Sequence, residues 1–197
     1  MVKDLNELSP EELGELFPIE IVPFNPKWNE LYQQEWHEIK KLLAFTAKRI
    51  EHFGSTAIPN MAAKPTIDIL VEIPDDEVIK PLLIDQMVNN GYHYIPRNDC
   101  PPPYMMFVKG YTPEGYKGQC YHLHMAPKDH AGLWDRLYFR DYLIANPVVA
   151  KEYETLKLEL ALKLRNDRDG YTEGKTEFIN RITEIAKKMK SQKSKGL

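Results

Sequence analysis

Cysteine is scarce in this chain of 197 residues: two occur, Cys100 and Cys120, with no Cys-x-x-Cys spacing. A disulfide framework and a cysteine zinc knuckle are both excluded, and reduced thiols are expected. Long apolar runs are missing too. No stretch approaches the roughly 18 apolar residues of a membrane span, and the opening Met-Val-Lys-Asp-Leu-Asn-Glu is too polar for a secretory signal, so a cytoplasmic protein with no membrane partner is expected. Net charge is small, -3 from 26 Lys and Arg against 29 Asp and Glu, which argues against broad binding to nucleic acid. Lys187, Lys188, Lys190, Lys193 and Lys195 crowd the end, where they read as a solvated helix terminus. There is no internal repeat or low-complexity block. What remains is enough apolar content, 43%, to bury one core, and a single domain over residues 1–197 is expected.

Ser9-Pro10-Glu11-Glu12 has capping-box spacing and predicts a short helix ending near Leu16. Residues 19–24 read as a strand. Asn25-Pro26 starts a longer helix with Trp28, Leu31, Tyr32, Trp36, Ile39, Leu42 and Leu43 at helical spacing. Two strands follow, residues 49–53 and 67–73, joined through Gly54-Ser55. A helix from about Pro74 to Asn90-Gly91 comes next, with Pro81 moving its start later. Strands are expected at 92–95, 104–108 and 119–125, the last two joined by a loop over 110–118, with a bend at 99–103. From Ala131 the pattern is helical, with Pro147 opening a second helix, a loop near Asp169-Gly170 and a last helix from Lys175 to about Lys190. The fold class is α/β (α+β), a mixed sheet followed by a C-terminal helical bundle over 130–190 and a flexible tail at 191–197.

Asp68 is the anomaly. Ile67, Ile69, Val71 and Ile73 share one face of a period-two strand, while Asp68, Leu70 and Glu72 share the other. An unpartnered buried carboxylate costs several kcal/mol, so Asp68 needs a cation, a donor or a metal. Gly54 permits close backbone approach and Ser55 adds a hydroxyl, together an anion cradle. Thr56, Lys64 and Lys175 complete the candidate binding set. His122 and His124 are two apart on a strand and face one side, so both are candidate ligands. Metal ligation, phosphate contact and a hydrogen-bonded edge are all open to such a pair. Glu72 lies roughly 13 Å along the strand from Asp68 and is peripheral.

Two tempting motifs fail. Gly170-Tyr171-Thr172-Glu173-Gly174-Lys175-Thr176 imitates a phosphate-binding loop, but its first glycine is one residue too close and a helix precedes it. His52, Ser55 and Asp68 lack the Gly-x-Ser-x-Gly elbow of a hydrolase.

The run His52-Phe53-Gly54-Ser55-Thr56-Ala57-Ile58-Pro59, then residues 63–71 and Tyr121-His122-Leu123-His124, resembles the signature of the GrpB family. Phe139-Arg140-Asp141-Tyr142-Leu143 and Tyr171-x-x-x-Lys175 continue it. The resemblance implies a DNA polymerase beta-like nucleotidyltransferase fold, with residues 19–128 as core. It also implies Gly54-Ser55 on the β/γ-phosphates of a nucleoside triphosphate and Asp68 on Mg²⁺. Leu70 stands where that superfamily has its second metal-binding carboxylate, and leucine cannot coordinate. Asp68 with His122 and His124 would then suit one softer ion, Mn²⁺ or Zn²⁺, or a phosphate pocket with no metal. Three functions follow: transfer of a nucleoside monophosphate to an unknown acceptor, a non-catalytic nucleotide- or phosphate-binding accessory module, or a His/Asp metallohydrolase. Family members fused to a dephospho-coenzyme A kinase fit the second.

Overall fold

The computed structural model describes residues 3–97, 104–130 and 132–195. Helices α1 (Pro10–Leu16) and α2 (Lys27–Leu42) precede strands β1 (Arg49–Phe53) and β2 (Thr66–Glu72). Then come α3 (Ile79–Val88), β3 (His93–Arg97), β4 (Tyr104–Thr112) and β5 (Gly115–Ala126). Four helices finish the chain, α4 (Asp135–Ala145), α5 (Pro147–Lys163), α6 (Arg168–Glu173) and α7 (Thr176–Lys195). The expected mixed sheet is present, in the order β1-β2-β5-β4-β3, and only its central pair, β2 with β5, is parallel.

The alternation of β2 sends its odd-numbered residues to one face and its even-numbered residues to the other. Ile67, Ile69 and Val71 pack with Phe107, Leu123 and Met125 against Trp28, Tyr32, Ile39 and Leu43 of the α2 segment and Leu83 and Met87 of α3. This is the main core, and the helical spacing of α2 builds its outer layer. Leu70, on the opposite face, is buried with Phe53, Ala126, Leu133 and Leu137. The sheet is therefore covered on both sides, although on the even-numbered face of β2 Leu70 is the one apolar residue, between Asp68 and Glu72.

The local signals at the amino-terminal end hold. Ser9 accepts from the Glu12 amide and donates its own amide to the Glu12 carboxylate, 2.8 Å, a reciprocal capping box. Asn25 Oδ1 accepts the Lys27 amide at the start of α2. Helix α3 begins at Ile79, so Pro81 falls in its first turn, where the missing N–H costs nothing.

Four expectations need correction. Residues 19–24 form no strand: Ile19 donates its amide to Arg165 O, Val22 makes one isolated bridge to Ala63, and Pro23 has no amide to give. The loop expected over 110–118 shrinks to Pro113-Glu114, because Gly110 at φ +84 absorbs an irregularity between Lys109 and Tyr111 and the hairpin continues. Asp169 and Gly170 lie inside α6, whose start Asp167 caps by accepting the Gly170 amide. The last helix runs to Lys195, five residues past its expected end. The expected bend at 99–103, with Cys100, and the chain beyond residue 195 lie outside the described residues.

Candidate functional site

The segment between β1 and β2 is anchored at both ends and in the middle. Gly54 (φ +71) turns the chain into a single 3-10 turn, Ser55–Ala57. Thr56 is buried and donates its hydroxyl to Thr66 O, 3.2 Å, while His52 Nε2 lies 3.0 Å from Thr56 Oγ1. Ile58 and Met61 pack into the bundle among Phe139, Leu143, Tyr153 and Ile182. Glu154 then accepts the Ala62 amide, 2.6 Å, and Lys157 donates to Ala62 O. Helix α5 thus grips both backbone groups of one residue. Val22 and Ala63 exchange both backbone hydrogen bonds, and Lys64 emerges from this clamp toward Asp68.

Asp68 sits beside His122 in the parallel β2/β5 register, and its Oδ1 is 3.2 Å from His122 Nδ1. The two side chains keep 25% and 15% exposure, so the pair is half-buried and still reached by solvent. Burial pushes the Asp68 carboxyl up, but hydrogen bonding to His122 and the fields of His122, Lys64 and Arg136 outweigh it and hold the group below its usual range. Burial lowers the His122 pKa despite the pull of Asp68, so its neutral form dominates at neutral pH. With the Nδ1 proton directed to Asp68, the Nε2 lone pair is the free one. Tyr111 stacks on this imidazole at 5.3 Å and its hydroxyl reaches the Thr66 hydroxyl at 3.3 Å.

Around that pair stand cations. Lys64 Nζ and Lys175 Nζ lie over the same Tyr171 ring, 5.5 and 4.0 Å from its centroid. Lys157, 2% exposed, lies over Tyr153 at 5.2 Å. Burial lowers Lys64 to about 8, helped by Arg168 and opposed by Asp68. It lowers Lys175 to about 7, with Lys64 adding to the effect, and Lys157 to about 7 against the pull of Glu154. None of the three lysines forms an ion pair among the described residues. Buried cations held apart from carboxylates destabilise the ligand-free protein, and an anion among them would relieve the cost.

The sequence-based set is brought together in part. Gly54, Asp68, His122, Lys64 and Lys175 converge, and Ser55 lies at the Tyr153 hydroxyl nearby. Thr56 instead braces the loop. His124 is level with Leu70, one same-face step along the strand, about 7 Å away. It is buried between Phe53 and Tyr104, at 5.5 and 5.4 Å, its Nδ1 has no hydrogen-bond partner among the described residues, and burial holds its pKa well below the usual value. The expected Asp68/His122/His124 metal triplet is therefore not assembled: among the described residues no three His, Cys, Asp or Glu are placed to hold an ion. Leu70, the next residue on this face of β2, is 0% exposed and cannot coordinate a second ion.

Lys157, Arg168 and Tyr171 had no assigned role in the sequence reading. Lys157 had a signal, a lysine one residue past Leu156 in the helix expected to open at Pro147. Arg168 and Tyr171 are three apart on a helix that was expected to be a loop.

Fold and site together define an α/β protein with a half-buried carboxylate–imidazole pair in the field of neighbouring lysines. The chain belongs to the GrpB family: residues 18–185 match the family described as GrpB protein. It is 36% identical over 172 residues to the UPF0157 protein YqkA of Bacillus subtilis, covering 87% of this chain but only 48% of that protein. The chain thus spans about half the length of that relative. The crystal structure of conserved protein GrpB from Enterococcus faecalis superposes with a TM-score of 0.75 at 32% identity, covering 86% of this chain and 98% of that one. A dephospho-CoA kinase of Mycolicibacterium paratuberculosis is 26% identical over 78% of this chain and 42% of its own length, in keeping with the expectation of fused family members. A slighter likeness, TM-score 0.47 at 11% identity, to Cid1 in complex with its short product ApU carries no argument about this chain. No helix among the described residues is long and apolar enough to cross a membrane.

Proposed function

We propose that the crevice binds the phosphates of a nucleoside triphosphate and transfers the nucleoside monophosphate to an acceptor hydroxyl. The observation that carries this reading is the joint presence of an Asp68-oriented His122 and unpaired lysines around it. In this mechanism His122 Nε2 takes the acceptor's proton as the acceptor oxygen bonds to the α-phosphorus. The bond from that phosphorus to the bridging oxygen breaks, and pyrophosphate leaves with its charge met by Lys64 and Lys175. Asp68 fixes the tautomer of His122 and steadies the imidazolium that forms. Gly54 and Ser55 supply backbone and hydroxyl at the mouth.

Radiolabelled nucleoside triphosphates incubated with the protein and with candidate acceptors test the reading. Label transfer that disappears in His122→Asn is expected. Neither binding nor turnover of any nucleoside triphosphate, with Asp68→Ala indistinguishable from wild type, would overturn it.

Leu70 favours a second reading, a module that binds nucleotide or phosphate without turnover. Saturable binding with no pyrophosphate release under any acceptor condition distinguishes it from the first.

A further inference from the structure

Among the described residues the metal donors at this point are few: Asp68 and His122 Nε2, without a third His, Cys, Asp or Glu grouped with them. Asp68 Oδ1 faces His122 Nδ1 at 3.2 Å, and Oδ2 lies against Gly54, where even a Cβ would come within 2.2 Å. The next same-face residue on β2 is Leu70, and beside it on β5 is His124, enclosed by Phe53 and Tyr104. What the crevice offers in place of donors is positive charge. Lys64 and Lys175 share one face-on partner, the buried Tyr171 ring, and Arg168, which donates to Phe17 O and lies over the Phe17 ring, adds its field to both lysines.

Two ammonium groups over one ring repel each other, and among the described residues no carboxylate within ion-pair reach offsets that repulsion. A multivalent anion is the partner that such a set fits. Resting on the phosphate reading above, we infer that the phosphate chain binds directly on Lys64, Lys175 and Arg168, with no divalent cation between it and Asp68. Asp68 is then a positioning residue for His122. A magnesium ion on the ligand would neutralise the charge that the lysines recognise and would occupy the oxygens they bind. The crevice therefore prefers the metal-free oligophosphate.

Calorimetric titration of the full chain with inorganic triphosphate and with ATP, once in EDTA and once in excess magnesium chloride, tests the inference without any variant. Binding in EDTA at least as tight as in magnesium is expected, with Lys175→Met weakening it tenfold or more. Asp68→Asn is expected to leave the EDTA affinity equal or higher while its turnover falls. Binding that is weaker in EDTA than in magnesium, or lost in a folded Asp68→Asn, overturns the metal-free site but leaves the phosphate reading intact. If neither probe binds in either condition, the phosphate reading itself fails, and the inference with it.

Discussion

Gly54 lies directly against Asp68: a Cβ on the glycine would meet Oδ2 at 2.2 Å, at a backbone φ of +71 that other residues rarely adopt. Conformation and contact thus both require glycine, and they do so at the carboxylate that orients His122. Gly54→Ala is expected to lower the unfolding free energy by about 2–3 kcal/mol, from the strained φ and the overlap together. It should also shift the Gly54-Ser55 backbone at the mouth of the site and weaken phosphate binding. Urea unfolding and a ligand titration on the same preparation check both effects.

The lysines make ligand binding depend on pH. Lys64 sits at about 8 and Lys175 and Lys157 at about 7, so all three are largely charged at pH 6 and largely neutral at pH 9 before any ligand arrives. An anion stabilises the charged forms, so affinity for a phosphate ligand should fall as pH rises from about 6 to 9. Near pH 8 binding should draw protons from solution. The heat of binding measured in buffers of different ionisation enthalpy reports that uptake directly.

The same shifts set a stability trend of the opposite sign. These lysines bind fewer protons folded than unfolded between their lowered values and the ordinary value of 10.5. Their contribution therefore raises the stability of the ligand-free protein as pH climbs from about 7 toward 10. Lys175→Met should flatten that rise while leaving the melting temperature at pH 7 equal or higher, since removing an unpaired buried cation is neutral or stabilising. Thermal unfolding across pH, for wild type and variant, checks the slope.

On the far face of the sheet, Lys109 donates to both carboxylate oxygens of buried Glu35, at 2.8 and 2.9 Å, and Tyr92 donates its hydroxyl to the same carboxylate. Glu35→Ala strands both donors and should cost about 2–3 kcal/mol. Phosphate affinity should not change, because this network is on the opposite side of β5 from His122. Denaturant unfolding with a parallel titration separates the two.

His124 offers a contrast with His122. Its Nδ1 is buried between two aromatic rings without a partner among the described residues, so His124→Phe should keep phosphate affinity within about twofold and change stability by less than about 1.5 kcal/mol. A loss of affinity comparable to that of Lys175→Met would give His124 a direct part in ligand binding.

Period-two alternation was enough to bring Asp68 to the face opposite Ile67 and Ile69, and the isolated charge in an apolar strand was enough to mark it as needing a partner. The partner's identity depended on the parallel pairing of β2 with β5, a contact between residues 54 positions apart that no local pattern encodes. Hence the two imidazoles of Tyr121-His122-Leu123-His124 looked equivalent, although one strand step separates a dyad from an aromatic pocket. Lys157 and Arg168 were hidden for a different reason. Their roles arise only when α5 and α6 close over the 54–64 segment, and the short α6, with glycine inside it, has too weak a helical signal to predict.

The central claim is that the lysines around the Asp68–His122 pair receive a phosphate ligand. Calorimetric titration of inorganic triphosphate into wild type and into Lys64→Met/Lys175→Met, both at pH 6.5 in EDTA, tests it most directly. The account predicts one saturable site in the wild type and at least a hundredfold loss in a variant that remains folded. Equal affinity in the two proteins, or no binding by the wild type, would contradict it.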